Sequence, residues 1–225
     1  MSEIVARCHS VEVPASPYLG EGMVRSIGSG RYEAGEIAAG LACIAKGARI
    51  LELGAGAGIV GAVLAKNLSP VGMISVEANP KLIPHIRELH EHNDLDHIID
   101  LRHCVVLSDP DAPETVDFHV LGNFLGSSLT KRKEGRGVVV NVPVLRYADL
   151  AASFPHDTIM MDIEGGELDF LRHADLGQVR VFVAEFHEDV YGRDGMKECA
   201  ALLSKQGFVL NERNSRGAVQ AWLRP

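Results

Sequence analysis

The sequence predicts an α/β fold: one Rossmann-like, mainly parallel seven-stranded sheet with helices on both faces and an antiparallel hairpin at the C-terminal end. Three observations predict it. Apolar runs that read as buried strands alternate with helix-like segments along the chain. The first buried run, 48–53, enters a turn with Gly54, Gly56 and Gly58 and then a helix. The last two runs, 208–212 and 218–223, are joined by Asn214-Ser215-Arg216-Gly217, a hairpin connection. At 225 residues the chain is long enough for one α/β domain with a full core, and too short for two ordinary ones. The expected division is an N-terminal arm or lid, 1–30, followed by a cofactor-binding domain, 31–225.

Each element follows from local signals. Residues 1–30 carry Pro14, Pro17, Gly20, Gly22, Gly28 and Gly30, which break any long element and leave an irregular arm. Residues 32–45 have helical spacing, stopped by Lys46-Gly47. After the glycine turn, an Ala/Val/Leu-rich helix runs without a breaker to Asn67. A second strand, 71–76, ends at Glu77, and Asn79-Pro80 opens a helix to about Asn93 in which Pro84 fits only the first turn. On that helix His85, His90 and His92 lack the i,i+4 spacing of a metal pair and read as solvated side chains. A third strand spans 98–106, with Ser108-Asp109-Pro110 as its exit loop.

Strands at 116–121 and 138–145 flank a polar loop, 122–137, holding Asn123, Ser127 and Ser128. Such an insertion is not needed to complete a doubly wound sheet, which makes it a candidate for substrate contact. A short helix at 147–154, a strand ending at Asp162, a helix at 168–173, a strand at 180–186 and a helix at 195–206 lead to the hairpin.

Composition narrows the function. The chain is 46% hydrophobic and 23% charged, values of a soluble globular protein. No apolar run approaches the roughly 20 residues of a membrane span, and the first ten residues have no signal core, so a cytoplasmic protein without membrane attachment is expected. The net charge of −8 argues against a nucleic-acid partner. Lys131, Arg132, Lys133 and Arg136 form a local basic cluster, either a solvated loop or a clamp for an anionic substrate. Cys8, Cys43, Cys104 and Cys199 lack zinc-site spacing and read as free thiols in a reducing compartment.

The glycine turn carries the chemistry. Glycine has no Cβ, so the backbone takes φ > 0 and a ligand reaches its N–H groups, while the unpaired donors at a helix start favour negative charge. Gly54, Gly56 and Gly58 give the GxGxG form of S-adenosylmethionine enzymes, whereas Gly56, Gly58 and Gly61 also satisfy the dinucleotide pattern GxGxxG. The motif alone leaves both open. Glu77, about 20 residues on, can accept both hydroxyl hydrogens of a ribose in either case.

The second informative stretch is Asp162-Ile163-Glu164-Gly165-Gly166-Glu167. An apolar strand ends there in three acids and two glycines, at the carboxyl edge where open α/β sheets bind ligands. Another strand closes with Glu185, His187 and Glu188. Asp162 is the first candidate for a catalytic base and His187 the second, with Glu164 orienting or binding substrate. The spacing of Asp162, Glu164, Glu185 and His187 also permits a divalent metal, but nothing demands one, and no metal ligand is assigned.

The alternation of elements followed by an antiparallel hairpin matches the seven-stranded class I methyltransferase sheet better than a dehydrogenase sheet. The chain resembles the FkbM-type S-adenosylmethionine-dependent methyltransferases over residues 31–190. The resemblance runs through Tyr32-Glu33, the Glu52 to Gly58 turn, Val76-Glu77-Ala78-Asn79-Pro80, Gly126-Ser127-Ser128-Leu129, the Asp162 to Glu167 run and Glu185-Phe186-His187. It implies S-adenosylmethionine as cofactor and methylation of a hydroxyl on a sugar or other small molecule. By the same resemblance, Glu33 and the Gly54, Ala55, Gly56 and Gly58 turn hold the methionine part. Glu77 holds the ribose, and Cys104, Val105 and Asp109 the adenine side. Glu52, Ala78 and Asp162 complete the cofactor set, although Glu52 stands where the family usually has Asp and Ala78 where it has Pro. Met160 replaces a Lys common before the acidic run, which bears on substrate charge and base strength. A homodimer is compatible with this picture. The rivals are an NAD-dependent oxidoreductase and a catalytically silent S-adenosylmethionine-binding protein.

Overall fold

The computed structural model describes residues 2–120 and 138–225. The N-terminal arm is ordered where the Pro and Gly content suggested irregular chain. Strands β1 (Ile4–Cys8) and β2 (Val11–Pro14) pair antiparallel, and helix α1 (Glu21–Gly28) follows. The breakers fall between these short elements, and Cys8, Val11, Val13 and Ile27 are buried in the same cluster as the domain core. Buried apolar area, not local propensity, orders this segment.

Helix α2 (Ala34–Cys43) leads to strand β3 (Arg49–Leu53), then helix α3 (Ile59–Leu68), strand β4 (Gly72–Glu77), helix α4 (Ile83–His92) and strand β5 (Ile99–His103). Here the expected third strand divides: β6 (Val105–Leu107) leaves the main sheet beyond Cys104 and pairs parallel with β8 (Val138–Arg146), which pairs antiparallel with β7 (Thr115–Val120). Helix α5 (Tyr147–Ser153), strand β9 (Thr158–Met161), helix α6 (Glu167–His173) and strand β10 (Val181–Glu185) follow. Helix α7 (Glu188–Lys205) starts earlier than the pattern suggested and is interrupted at Gly192, whose φ of 69° and ψ of 177° are non-helical. Strands β11 (Val209–Leu210) and β12 (Val219–Leu223) form the terminal antiparallel pair.

The main sheet has the order β11-β12-β10-β9-β3-β4-β5. Its pairs from β10 through β9, β3 and β4 to β5 are parallel, and β12 runs antiparallel to β10. An antiparallel strand inserted at this place departs from the all-parallel 3-2-1-4-5-6 order of dinucleotide-binding sheets. Strand side chains alternate between two cores: Ile50, Met73, Met160 and Val183 face one, while Leu51, Ile74, Ile159 and Phe182 face the other. Apolar residues of α2, α3 and α4 fill the first core, and those of α5, α6 and α7 the second. This period of two on doubly covered strands explains their nearly continuous apolar sequence.

The histidines of α4 differ from the solvated reading. His90 is buried, His92 Nε2 meets Glu12 Oε2 at 2.8 Å and His85 packs edge-on against Tyr18. All four cysteines are unpaired. Among the described residues, no helix is long and apolar enough to cross a membrane. The polar loop with Asn123, Ser127 and Ser128, the basic cluster Lys131, Arg132, Lys133 and Arg136, and the Gly126 to Leu129 segment all lie outside the described residues.

Candidate active site

The chain leaves β3 for one side of the sheet, toward β4 and β5, and returns through β9 on the other. The carboxyl ends of β3 and β9 therefore flank a topological switch point, where an open α/β sheet has room for a ligand. Backbone hydrogen bonds extend past the strands: Gly54 and Ala55 both donate N–H to Val76 O, at 3.0 and 2.9 Å, and Asp162 donates to Leu53 O at 2.9 Å. Gly54 has a φ of 88°, and a Cβ built there would lie 1.7 Å from the Asp162 carbonyl oxygen. Only glycine allows the two strand ends to approach this closely.

A cavity of about 500 Å³ opens at this edge, within the roughly 300–1,000 Å³ usual for small-molecule and cofactor sites. One wall is Gly54, Gly56, Glu77 and Ala78. Cys104, Val105 and Asp109 lie toward the β5–β6 side, with Phe118 from β7. Asp162, Glu164 and Glu33 line the remaining side, with Tyr32 beside Glu33. Glu77 is 7% exposed. Its Oε2 accepts from Gly56 N–H at 2.8 Å and its Oε1 from Asn79 N–H at 2.6 Å. Burial pushes its carboxyl up to about 7 against these hydrogen bonds.

Four expected site residues do not line the cavity. Glu52 points under the first turn of α3, where its carboxylate accepts from Ser75 Oγ and Gly61 N–H. A Cβ on Gly61 would lie 2.4 Å from Glu52 Oε2, so this glycine makes room for a buried acid. Ala55 is buried with Leu82 and Ile86, and Gly58, the N-cap of α3, also packs on Ile86. These are the packing positions of the turn.

His187 lies behind the acidic run. Its Nδ1 is 3.2 Å from Glu167 Oε1, and its Nε2 is 3.4 Å from Glu164 Oε2 and 3.8 Å from Asp162 Oδ1. Burial opposes charge on the imidazole, but hydrogen bonds to Glu164 and Glu167, with the charges of Glu167 and Asp162, raise its pKa to about 10. A histidine that is cationic at neutral pH has no lone pair to offer, so it does not suit the role of a base. Asp162 lines the cavity; burial, then the neighbouring Glu164 charge, push its carboxyl up to about 8, so its ionised, proton-accepting form prevails above that pH, and its Oδ1 is buried without a hydrogen-bond partner.

Glu167 is the residue the sequence reading passed over. Fully buried, it accepts from Ile163 N–H at 3.3 Å and Gly165 N–H at 3.1 Å as well as facing His187. It thereby braces a turn in which Glu164 and Gly165 have φ of 56° and 104°. Its place within the acidic run was the available signal. Glu36, in the first turn of α2, was also missed. It is 4% exposed, its Oε1 has no partner, and burial followed by the charges of Asp162 and Glu33 pushes it up to about 10.

The family model for protein-L-isoaspartate(D-aspartate) O-methyltransferase matches residues 25–109, the part that contains the glycine turn and Glu77. No curated protein matches the sequence. Among solved structures, a precorrin-6y C5,15-methyltransferase from Geobacter metallireducens GS-15 is 11% identical, with a TM-score of 0.50 over 100% of both chains. An O-methyltransferase from Bacillus cereus, in complex with SAH, is 15% identical with a TM-score of 0.49, over 85% of this chain and 80% of that one. At such identities the likeness is one of fold. The cavity, the glycine wall and the strand-end carboxylate fit a ribose-bearing cofactor on their own geometry. The fold is the Rossmann-like one shared with the methyltransferase of TM-score 0.50, and the methyltransferase family model over the glycine turn and Glu77 indicates S-adenosylmethionine as the cofactor.

Proposed function

We propose that the protein is an O-methyltransferase of the FkbM type acting on a hydroxyl of a small molecule or sugar. The observation that carries this reading is Asp162: a buried carboxyl at the carboxyl end of β9, lining the cavity, whose Oδ1 accepts no hydrogen bond. We take the acceptor as a small molecule rather than a nucleic acid because the chain carries a net charge of −8, and the unpaired cysteines suit a cytoplasmic enzyme.

In this reading the Gly54 to Gly56 backbone holds the methionine part, Glu77 the ribose hydroxyls, and Cys104, Val105 and Asp109 the adenine side. S-adenosylmethionine supplies an electrophilic methyl group whose carbon bonds to the acceptor oxygen as the C–S electron pair returns to sulfur. Asp162 takes the acceptor's proton, a role typically contributing about 10² to 10⁴-fold. Protonated His187 keeps the Asp162 and Glu164 carboxylates in place. Holding acceptor and methyl at near-attack distance supplies up to about 7–11 kcal/mol of the barrier. Glu164 orients the acceptor, and the N-terminal arm with the 122–137 loop selects it.

Calorimetric titration with S-adenosylhomocysteine, beside NAD and a Glu77→Ala control, tests the cofactor. Binding of S-adenosylhomocysteine that weakens in the variant, with none of NAD, supports the reading; binding of NAD alone overturns it. A screen of hydroxylated acceptors with wild type and Asp162→Asn then tests the chemistry. Turnover that survives the substitution removes Asp162 as the base.

A further inference from the structure

Glu33, Glu36 and Glu185 come together from separate elements. Glu33 is the N-cap of α2, Glu36 lies in that helix's first turn, and Glu185 ends β10. One oxygen from each of the three carboxylates lies within 4.8 Å of the others. Glu36 is 4% exposed, and its Oε1 has no hydrogen-bond partner. Among the described residues, no lysine, arginine or histidine forms an ion pair with any of the three. A buried carboxyl that lacks a donor and shares a group with two further acids is costly in its charged form unless it holds a proton or a cation compensates it.

We propose that these three carboxylates bind one divalent cation of the hard, oxygen-seeking class: magnesium, manganese or calcium. The donor set is all oxygen, which selects against zinc and copper. The spacing suits an ion coordinated at about 2.0–2.6 Å, since ligand oxygens around it are then roughly 3–5 Å apart. This set differs from the Asp162, Glu164, Glu185 and His187 grouping that the sequence allows, because His187 is held as a cation against Glu164 and Glu167. Of the three acids only Glu33 lines the cofactor cavity. The ion therefore sits at the cavity's margin, between α2 and β10, positioned to orient oxygens of an acceptor. That last role rests on the methyl-transfer reading; the site itself does not.

The test is a titration of manganese(II) into purified protein freed of metal with EDTA, following the free ion by electron paramagnetic resonance. Wild type, Glu36→Gln and Glu185→Gln are compared without cofactor, each first checked for native circular dichroism. The expected result is one site in the wild type that weakens at least about tenfold in each variant. Scattered weak binding alone, or a single site unchanged by both substitutions, overturns the proposal. Should Glu36→Gln not fold, Glu185→Gln and Glu33→Gln carry the comparison. Addition of S-adenosylhomocysteine supplies a further arm: competitive release of manganese would mean that the acids serve the cofactor's ammonium group, which also overturns it. Manganese binding in a protein that ignores S-adenosylhomocysteine sinks the cofactor reading and leaves the metal site standing.

Discussion

Glu77→Gln separates what the strand-end acid does for the fold from what it does for the ligand. Both carboxylate oxygens accept backbone N–H groups, those of Gly56 and Asn79. Glutamine keeps the shape but turns one acceptor into a donor, so in either orientation an N–H faces an N–H. Leaving one buried donor unpaired costs about 1–3 kcal/mol. The opposing effect is charge. The folded pKa of about 7 lies above the ordinary glutamate value, so folding holds the proton and wild-type stability falls as pH rises from about 4.5 to 7. At about 1.4 kcal/mol per unit, wild type loses on the order of 1 kcal/mol through this group by pH 5 and 3 kcal/mol by pH 8. Glutamine has no such loss. Its stability relative to wild type therefore improves by about 2–3 kcal/mol between pH 5 and pH 8. Urea unfolding at both pH values measures this difference, in which every other titrating group cancels. A variant that loses more stability at pH 8 than at pH 5 would refute the desolvation argument. Affinity for S-adenosylhomocysteine should fall at pH 8, where Glu77 is ionised, by about tenfold to a hundredfold, the worth of a charge-assisted hydrogen bond. Unchanged affinity would remove Glu77 from the ribose site whatever the stability data show.

Gly54→Ala, which forces a Cβ onto the Asp162 carbonyl in a left-handed backbone, should destabilise by about 3 kcal/mol or more and abolish S-adenosylhomocysteine binding; a native melting curve with intact binding contradicts the strand-end geometry. Gly61→Ala presses on Glu52 and should cost about 1–3 kcal/mol in chemical unfolding, with cofactor affinity little changed because neither residue lines the cavity. With an acceptor in hand, kcat should rise with pH through about 8 as Asp162 ionises, and Asp162→Asn should lower kcat by about 10² to 10⁴-fold; a flat profile in wild type counts against Asp162 as the base.

Much of the fold was legible because its strands are covered on both faces. Ile50 and Leu51 belong to different cores, as do Met160 and Ile159, so each strand reads as an unbroken apolar run with a sharp end. The ends mattered most: Gly54, Glu77, Asp162 and Glu185 each stop an apolar run at the same edge of the sheet. What local pattern could not supply was partnership across the chain. Val105 and Val106 follow β5 after Cys104, yet β6 pairs with β8, some forty residues later. The arm looked broken because glycine and proline counts describe flexibility, whereas Val11 and Val13 find their burial against the core. Glu52 shows the same limit within the site: strand alternation turns it toward α3 while its neighbour Leu53 reaches the cavity.

The acids of the site sort by what surrounds them, which the sequence does not record. Asp162, Glu164, Glu167, Glu185, Glu33 and Glu36 occupy three stretches of chain, and all carry the same formal charge. Glu167 is fully buried, with two backbone donors and His187 around its Oε1, while its Oε2 has no hydrogen-bond partner. His187 also balances Glu164, because its Nε2 turns that way while Nδ1 is held by Glu167. Asp162, whose Oδ1 lies 3.8 Å from the same Nε2, gains less: that oxygen accepts no hydrogen bond. One cation cannot serve six carboxylates. The other three, Glu33, Glu36 and Glu185, form no ion pair with a basic side chain among the described residues, although the charges of Glu164 and Asp162 reach Glu33 and Glu36. Replacing His187 with Gln should therefore disturb Asp162 and Glu164, and with them turnover, while leaving one-site manganese binding at Glu36 in place. If both were lost together, the two clusters would have to be treated as a single electrostatic unit.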